Sequence, residues 1–582
     1  MPRLRSVANA ANAAAAAARK VDRRTLLAAA GGLSLSAGIG CALGLGGSEA
    51  AGATAPAAGS RKAPPPPPAP YTAGTTLDTV AAPTGREGYR RLGRGPAWQR
   101  TVRAELAAPH RGRAGRRTAL AAFVQLTDLH LADVQHPLRL EYLRRHVTNG
   151  WRPHEALTVA GAVSLVERVN ALRGAPVTGA PLQFVMTTGD NTDNNARCEL
   201  DWFLTTMSGG AITPNTGDPH RYEGVQDSGL ALYWQPQDAA LRDADKQLGF
   251  PHLPGFLDAA IRGLRSPGLD LPWYSTVGNH DALAGGCYGG GDSYLAEFAV
   301  GDRKLFSLPG AETKAVYNGI HQATDPTGGL LEQVLRGQAR HMRTVTPDAS
   351  RAPFTAAEYV AAHLDPAHRG PGPLGHGYTA DNLASGTRYY TFRVSDDVLG
   401  ISLDTTDPGG AYEGSIGGEQ LAWLERTLKA NRDTYTLVFS HHTSASMGNL
   451  RPDPARPHDT RHGGAELLDL LGRHPRVLAW INGHSHRNEI TPHGTFWEVT
   501  TASHVDYPQL ARVIELVDNR DGTLSLLTTL VESAAPHRTD FADLSAPGLA
   551  ALYRELAFNA PGGRTDLAGD PGDRNTELVL RA

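Results

Sequence analysis

The chain runs to 582 residues, far longer than one minimal domain and long enough to bury a large core. Its formal charge is −3, from 56 basic and 59 acidic residues; residues 1–60 hold six of the basic and two of the acidic ones, leaving 50 against 57. A mildly acidic body has no bulk field for nucleic acid or an anionic membrane, and the basic clusters Arg111-Gly112-Arg113 and Arg116-Arg117 read as a solvated loop.

The first segment, 1–58, reads as an export signal. Asp22-Arg23-Arg24-Thr25-Leu26-Leu27 is a twin-arginine pattern, followed by a Gly/Ala/Leu stretch and the small residues Ala51-Gly52-Ala53 suited to cleavage. The stretch is too rich in Gly for a membrane anchor, and no later segment is long and apolar enough to span a bilayer. Gly38 stands where a lipoprotein signal ending at Cys41 would have Leu. The expectation is export by the twin-arginine pathway to the cell envelope or the medium. Pro64 through Pro68 and then Pro70 form a stiff, extended run, so 59–117 reads as a Pro-rich spacer and N-terminal extension.

From Ala119 onward β-rich runs alternate with helical stretches. Ala121–Thr127 ends at Asp128-Leu129-His130. A helical pattern over Thr158–Leu172 leads to Leu182–Thr188, which ends at Gly189-Asp190-Asn191-Thr192-Asp193. After a long insert, 194–271, Trp273–Val277 ends at Gly278-Asn279-His280-Asp281. A second insert, 282–387, precedes the strand pair Arg388–Val394 and Val398–Leu403 and a helix over Glu419–Ala430. Tyr435–Ser440 then leads into His441-His442, and Val477–Asn482 into Gly483-His484-Ser485-His486. Strands at Phe496–Thr500, Arg512–Val517 and Leu524–Val531 have no helices between them and predict a second, more antiparallel sheet. The tail, 535–582, with a helix over Leu549–Phe558, is expected to pack back on the body. Strands interleaved with helices, with polar ligands at strand ends, imply an α/β sheet with its site on the carboxyl edge.

Any one of the five motifs is weak alone; five in one order resemble the calcineurin-like metallophosphoesterase superfamily, over roughly Ala119 to Glu532. Leu403-Asp404-Thr405 followed by Gly418-Glu419-Gln420-Leu421-Ala422-Trp423-Leu424 adds to the likeness, and the twin-arginine pattern and inserts suggest an exported bacterial sub-branch. The resemblance implies a four-layer α-β-β-α sandwich over 118–534, with a dinuclear metal site at the strand-end loops and cap-like inserts. It implies that Asp128, His130 and His486 hold one metal, that Asp190 bridges both, and that Asn279, His441 and His484 hold the second. Imidazoles favour zinc, iron or manganese, divalent or trivalent. The ions, roughly 3.5–4 Å apart, would share a hydroxide for in-line attack on a phosphate ester. His280 would face the substrate and protonate the leaving oxygen, with Asp281 orienting it. Choosing His441 over His442 rests on strand register. Asp193 stands where purple acid phosphatases have a metal-binding tyrosine, so no tyrosinate–iron chromophore is expected; it reads as a loop-stapling residue.

Trp202, Tyr233, Trp234, Tyr288, Gly285-Gly286 and Gly289-Gly290-Gly291 mark the inserts as cap or rim segments shaping substrate access. His136, Arg139 and Arg388 are candidates to touch phosphate, and His504 to reach the site. Cys198 and Cys287 each lie eight residues beyond a ligand, Asp190 and Asn279, that would touch one metal; a disulfide between them is expected in an oxidising compartment. The reading is a secreted two-metal phosphoesterase acting on phosphate mono- or diesters, small-molecule or envelope-borne. The alternative is a catalytically silent cell-envelope binding protein that keeps the fold.

Overall fold

β-branched and aromatic runs fold into two large sheets in the computed structural model of the chain, which describes residues 70–291, 293–562 and 565–582. The twin-arginine pattern and Pro64–Pro68 lie outside the described residues. Seven strands make the first sheet, in the order Thr101–Arg103, Thr576–Arg581, Thr523–Glu532, Leu510–Asp518, Thr118–Leu126, Phe184–Thr188, Trp273–Thr276. Six make the second: Tyr390–Ser395, Val398–Ser402, Tyr435–Phe439, Val477–Asn482, Phe496–Thr500, Glu489–His493. In each sheet the ligand-bearing strands run parallel, so their carboxyl ends fall on one edge.

The sheets face each other across a shared core. Phe123 packs edge-on to Phe439 with ring centres 5.6 Å apart, and Phe184 to Phe392 at 5.3 Å, each pair joining one sheet to the other. Near the ligand edge the contact turns polar. The Gln125 amide donates to Asn482 O at 2.8 Å and to Thr188 Oγ1 at 2.9 Å, and the Thr276 and Ser402 hydroxyls meet at 2.9 Å. The bonds to Asn482 and between Thr276 and Ser402 fix the strand ends of one sheet against those of the other. On the far face of the six-stranded sheet, helices Gly418–Ala430 and Gly464–Gly472 bury Leu424, Leu428, Leu467 and Leu471 against Ile401, Val438 and Trp480. Helix Thr158–Ala171 packs Val159, Val163 and Val166 into the main core. Its Gly161 leaves room for the Tyr553 ring of helix Ala546–Asn559, which an added Cβ would meet at 2.4 Å.

The three late strands do not form a sheet of their own, as the lack of intervening helices had suggested. Phe496–Thr500 stays in the six-stranded sheet, while Leu510–Asp518 crosses over to pair antiparallel with Thr118–Leu126. Leu510–Val517 is buried at every position, which suits an interior strand and no edge. The first sheet also takes strands from both sides of 118–534. Arg113 and Arg117 pair with Glu577 of the last strand and so clamp the tail, while Arg116 pairs with Asp521 in the turn before Thr523–Glu532.

The inserts carry cores of their own. Trp151, Tyr233, Trp234, Phe250 and Phe256 pack with Leu552 and Leu556 of the C-terminal helix. Tyr142, Tyr288, Leu295, Val316, Ile320 and Leu331 make another cluster. The wholly buried Lys304 pins the second insert beside the ligand loop, donating to Val134 O, His136 O and Glu141.

Candidate metal centre

The ligand loops are unusual first in their backbone. Asp128, His130, Asp190, His484 and His486 have φ of 51°, 45°, 51°, 65° and 58°, the left-handed region that side chains with a Cβ disfavour. Such residues cluster where surrounding structure forces a geometry for function. Glycines make the forcing possible. A Cβ on Gly278 would stand 2.2 Å from Asp190 N, and one on Gly483 2.4 Å from Asp128 Oδ2, so these loops touch backbone to ligand.

Five loops thereby aim seven side chains at one buried point. Around Asp128, Oδ1 lies 3.2 Å from His486 Nε2 and 3.9 Å from His130 Nε2, and the two ring nitrogens are 3.3 Å apart. Around Asn279, Oδ1 lies 3.0 Å from His441 Nε2 and 3.2 Å from His484 Nδ1, themselves 3.2 Å apart. Between the groups stands Asp190 Oδ2, 3.5 Å from His130 Nε2 and 3.2 Å from His441 Nε2.

Each carboxylate is half satisfied. Asp128 Oδ2 accepts from Thr127 Oγ1 at 2.6 Å and His484 N at 3.1 Å, and Asp190 Oδ1 accepts from His280 N at 2.8 Å. Asp128 Oδ1 and Asp190 Oδ2 are buried with no hydrogen-bond donor. An orphaned buried carboxylate oxygen is costly, and imidazole nitrogens packed lone pair to lone pair are more so. Cations in the two gaps would remove both costs, and the O/N donor set would suit zinc, iron or manganese. Burial would raise Asp190, but the imidazoles of His441 and His280 outweigh it and hold the carboxyl well below the usual range, as a bridging ligand needs.

Outer contacts fix which ring nitrogen points inward. His130 Nδ1 bonds Asp193 Oδ1 at 2.9 Å, and Arg139 holds Asp193 Oδ2 at 2.5 Å. His486 Nδ1 bonds Asp506 Oδ2 at 2.7 Å, and His441 Nδ1 bonds Thr188 O at 2.8 Å. His442 spends both ring nitrogens elsewhere, on Thr405 Oγ1 and Tyr412 O, which leaves His441 facing the cluster. The Asn279 amide donates to Gly286 O at 2.9 Å, so its oxygen must face inward.

His280 sits over the cluster, its ring 4.5 Å from that of His130, with Nδ1 2.6 Å from Asp193 O. The hydrogen bonds described for Asp281 go elsewhere. Its carboxylate accepts from the amides of Gly278, Asn191 and Thr192, and among the described hydrogen bonds none joins it to the His280 ring. Asp281 instead ties the Asp190 loop to the Asn279 loop; burial, then the Asp190 charge, pushes it up to about 6.

Other expectations also change. Arg139 is buried among Asp193, Glu155 and Glu141 and holds a ligand in place instead of phosphate. His136 bonds Arg351 O and Leu138 N, and Arg388 pairs with Asp404, so neither faces the cluster. His504 touches it only through its backbone, donating to Asp128 O, while its ring packs on Tyr553. Cys198 and Cys287 are not bridged: one is buried on helix Arg197–Ser208 in the main core, the other beneath the second insert. Their loops start together at Gly189 and Gly278 and then diverge. Sequence reading missed Asp506 and Arg152; a carboxylate twenty residues past a ligand histidine gives no local signal.

No protein-family model matches the chain. Over 103 residues, 18% of its length, it is 35% identical to a probable glycerophosphodiester phosphodiesterase of Arcobacter nitrofigilis, of which the match spans 36%. Over 113 residues, 19% of its length, it is 31% identical to a probable cyclic nucleotide phosphodiesterase of Synechococcus, of which it spans 42%. The chain thus matches less than half the length of these relatives. Among solved structures it is similar to a dimetal phosphatase from Danio rerio, at TM-score 0.33 and 12% identity over 72% of this chain and 100% of that one. It is also similar to a purple acid phosphatase from yellow lupin, at TM-score 0.25 and 9% identity over 78% and 55%.

Proposed function

We propose that this chain is a two-metal phosphoesterase of the calcineurin-like kind, with phosphodiesters as its substrate class. One observation carries the reading: Asp190 Oδ2, buried and without a donor, stands between the inward nitrogens of His130 and His441. The names of the partial relatives, both phosphodiesterases, favour diesters. The facing sheets with outer helices support a four-layer α-β-β-α body over 118–534, with 194–271 and 282–387 as cap inserts and 535–582 as an extension.

Asp128, His130, His486 and Asp190 would hold one ion, and Asn279, His441, His484 and Asp190 the other. Two ions so held supply Lewis-acid polarisation of the phosphoryl oxygens and a nucleophile at neutral pH. The protein's own contribution is His280. With Nδ1–H donated to Asp193 O, Nε2 is the nitrogen left to face the leaving oxygen and hand it a proton. Asp281 keeps the two loops on which this depends at fixed spacing.

The experiment pairs aryl phosphate mono- and diesters with protein loaded with Zn²⁺, Mn²⁺ or Co²⁺. The diester is expected to turn over, and His280→Ala to keep its metal while slowing about 10²–10⁴-fold. Loaded protein that hydrolyses neither ester would leave the silent binding protein as the reading. We also propose export by the twin-arginine route, resting on Asp22–Leu27. Replacing Arg23 and Arg24 by Lys is expected to retain the precursor in the cell, and normal secretion of that variant would refute it.

A further inference from the structure

We propose that Asp506, clamped by Arg152, is a positioning residue for His486, and that through it one of the two ion positions depends on a carboxylate no sequence motif contains. The inference rests on the two-metal reading above. Asp506 lies on the loop that carries the chain from the six-stranded to the seven-stranded sheet, and that loop is held on three sides. His504 N and Val505 N both donate to Asp128 O at 3.2 Å; His154 Nε2 meets Val505 O at 2.8 Å; Tyr553 Oη donates to His504 O at 2.8 Å. Ser503 Oγ then accepts from Asp506 N at 3.0 Å. The carboxylate is thereby aimed before it meets its partners.

Arg152 grips it as a fork, Nε to Oδ1 at 2.8 Å and Nη2 to Oδ2 at 2.9 Å. Asp506 Oδ2 in turn takes the His486 Nδ1 proton at 2.7 Å. A neutral imidazole that gives Nδ1–H to a carboxylate must keep its lone pair on Nε2, the atom facing Asp128 Oδ1 and His130 Nε2. The same chain of guanidinium, carboxylate and imidazole recurs at Arg139, Asp193 and His130, on the same ion position. His441 and Asn279, on the other position, lean on the carbonyls of Thr188 and Gly286.

Asp506→Asn is close to isosteric, yet it removes the charge and one of the two acceptors, so in either orientation its NH₂ meets a donor of Arg152. His486 then loses its anionic partner, and the hold on the Nδ1–H tautomer that keeps the lone pair on Nε2 weakens. Metal-free protein is titrated with Co²⁺, following heat and visible absorption, with the melting midpoint of the metal-free form as a control. Wild type is expected to take two ions. Asp506→Asn is expected to bind one as wild type does and the other about 10–100-fold more weakly, the usual effect of losing such a partner. Arg152→Gln is expected to show the same selective loss in smaller measure, and decides the matter should Asp506→Asn lower the melting midpoint. Wild-type affinity at both positions in the variants, or equal weakening of both, overturns the inference alone. Wild type that takes up no Co²⁺ pair overturns the two-metal reading and the inference with it.

Discussion

The two halves of the ligand cluster are alike in composition and different in support. On the Asp128 side both imidazoles are backed by carboxylates, Asp193 and Asp506, and each carboxylate is held by a buried arginine. On the Asn279 side the backing comes from main-chain carbonyls, Thr188 O behind His441 and Gly286 O behind the amide. Charged partners raise the basicity of the ring they hold and gather residues from distant segments to do so. Carbonyl partners cannot be mutated, but they move with their own backbone. The first half is therefore open to side-chain substitution, and the second to changes in loop conformation. Only Asp190 belongs to both.

The largest expected effect follows from that shared residue. Asp190→Ala removes the one oxygen reaching both His130 and His441 and leaves buried ring nitrogens on each side without their common anion. Both ions are expected to go, and turnover with them, measured as metal content after gel filtration alongside diester hydrolysis. A variant that retained one ion at wild-type affinity would show the halves to be independent, and the comparison would lose its link.

The division also explains what the sequence disclosed. The seven side chains that cluster were legible as candidate ligands because each motif follows a β-rich run directly, and strand ends are where such a sheet presents polar side chains. The strands at Trp273–Thr276, Val477–Asn482 and Phe496–Thr500 fell within a residue of expectation, since apolar runs of that length bounded by Gly or polar residues have few other uses. The carbonyl-backed half is local: Gly286 lies seven residues past Asn279. Its partner half is not. Arg152 and Asp506 are 354 residues apart in sequence, and the signal read in the Asp506 loop pointed to His504 instead. The crossing of Leu510–Asp518 into the first sheet was hidden for a related reason, because the absence of helices between strands fixes antiparallel pairing without choosing the partner. The disulfide failed because equal spacing from two touching residues says where loops begin and nothing about where they go.

A subtler variant probes the carbonyl-backed half without touching a ligand. Gly286 has φ +74°, and a Cβ there would stand 2.3 Å from His280 Cδ2 and 2.6 Å from Asn279 Nδ2. Neither neighbour can yield freely, since His280 is bonded to Asp193 O and the Asn279 amide to Gly286 O itself. Gly286→Ala therefore pushes the loop away and turns the amide off its carbonyl, freeing Oδ1 to leave the ion position. The left-handed backbone adds its own penalty of about 1–2 kcal/mol for any residue with a Cβ. Gly494 separates the two effects: at φ +62° in the turn between Glu489–His493 and Phe496–Thr500, it has nothing within 4 Å of an added Cβ. Gly494→Ala is expected to lower the melting midpoint without changing metal binding. Gly286→Ala is expected to weaken one Co²⁺ position about 10-fold, at the low end for a lost outer partner, and to leave the Asp128 position as in wild type. If it weakened the position that Asp506→Asn weakens, the two halves would not be separately supported, and the contrast drawn from their outer contacts would fail.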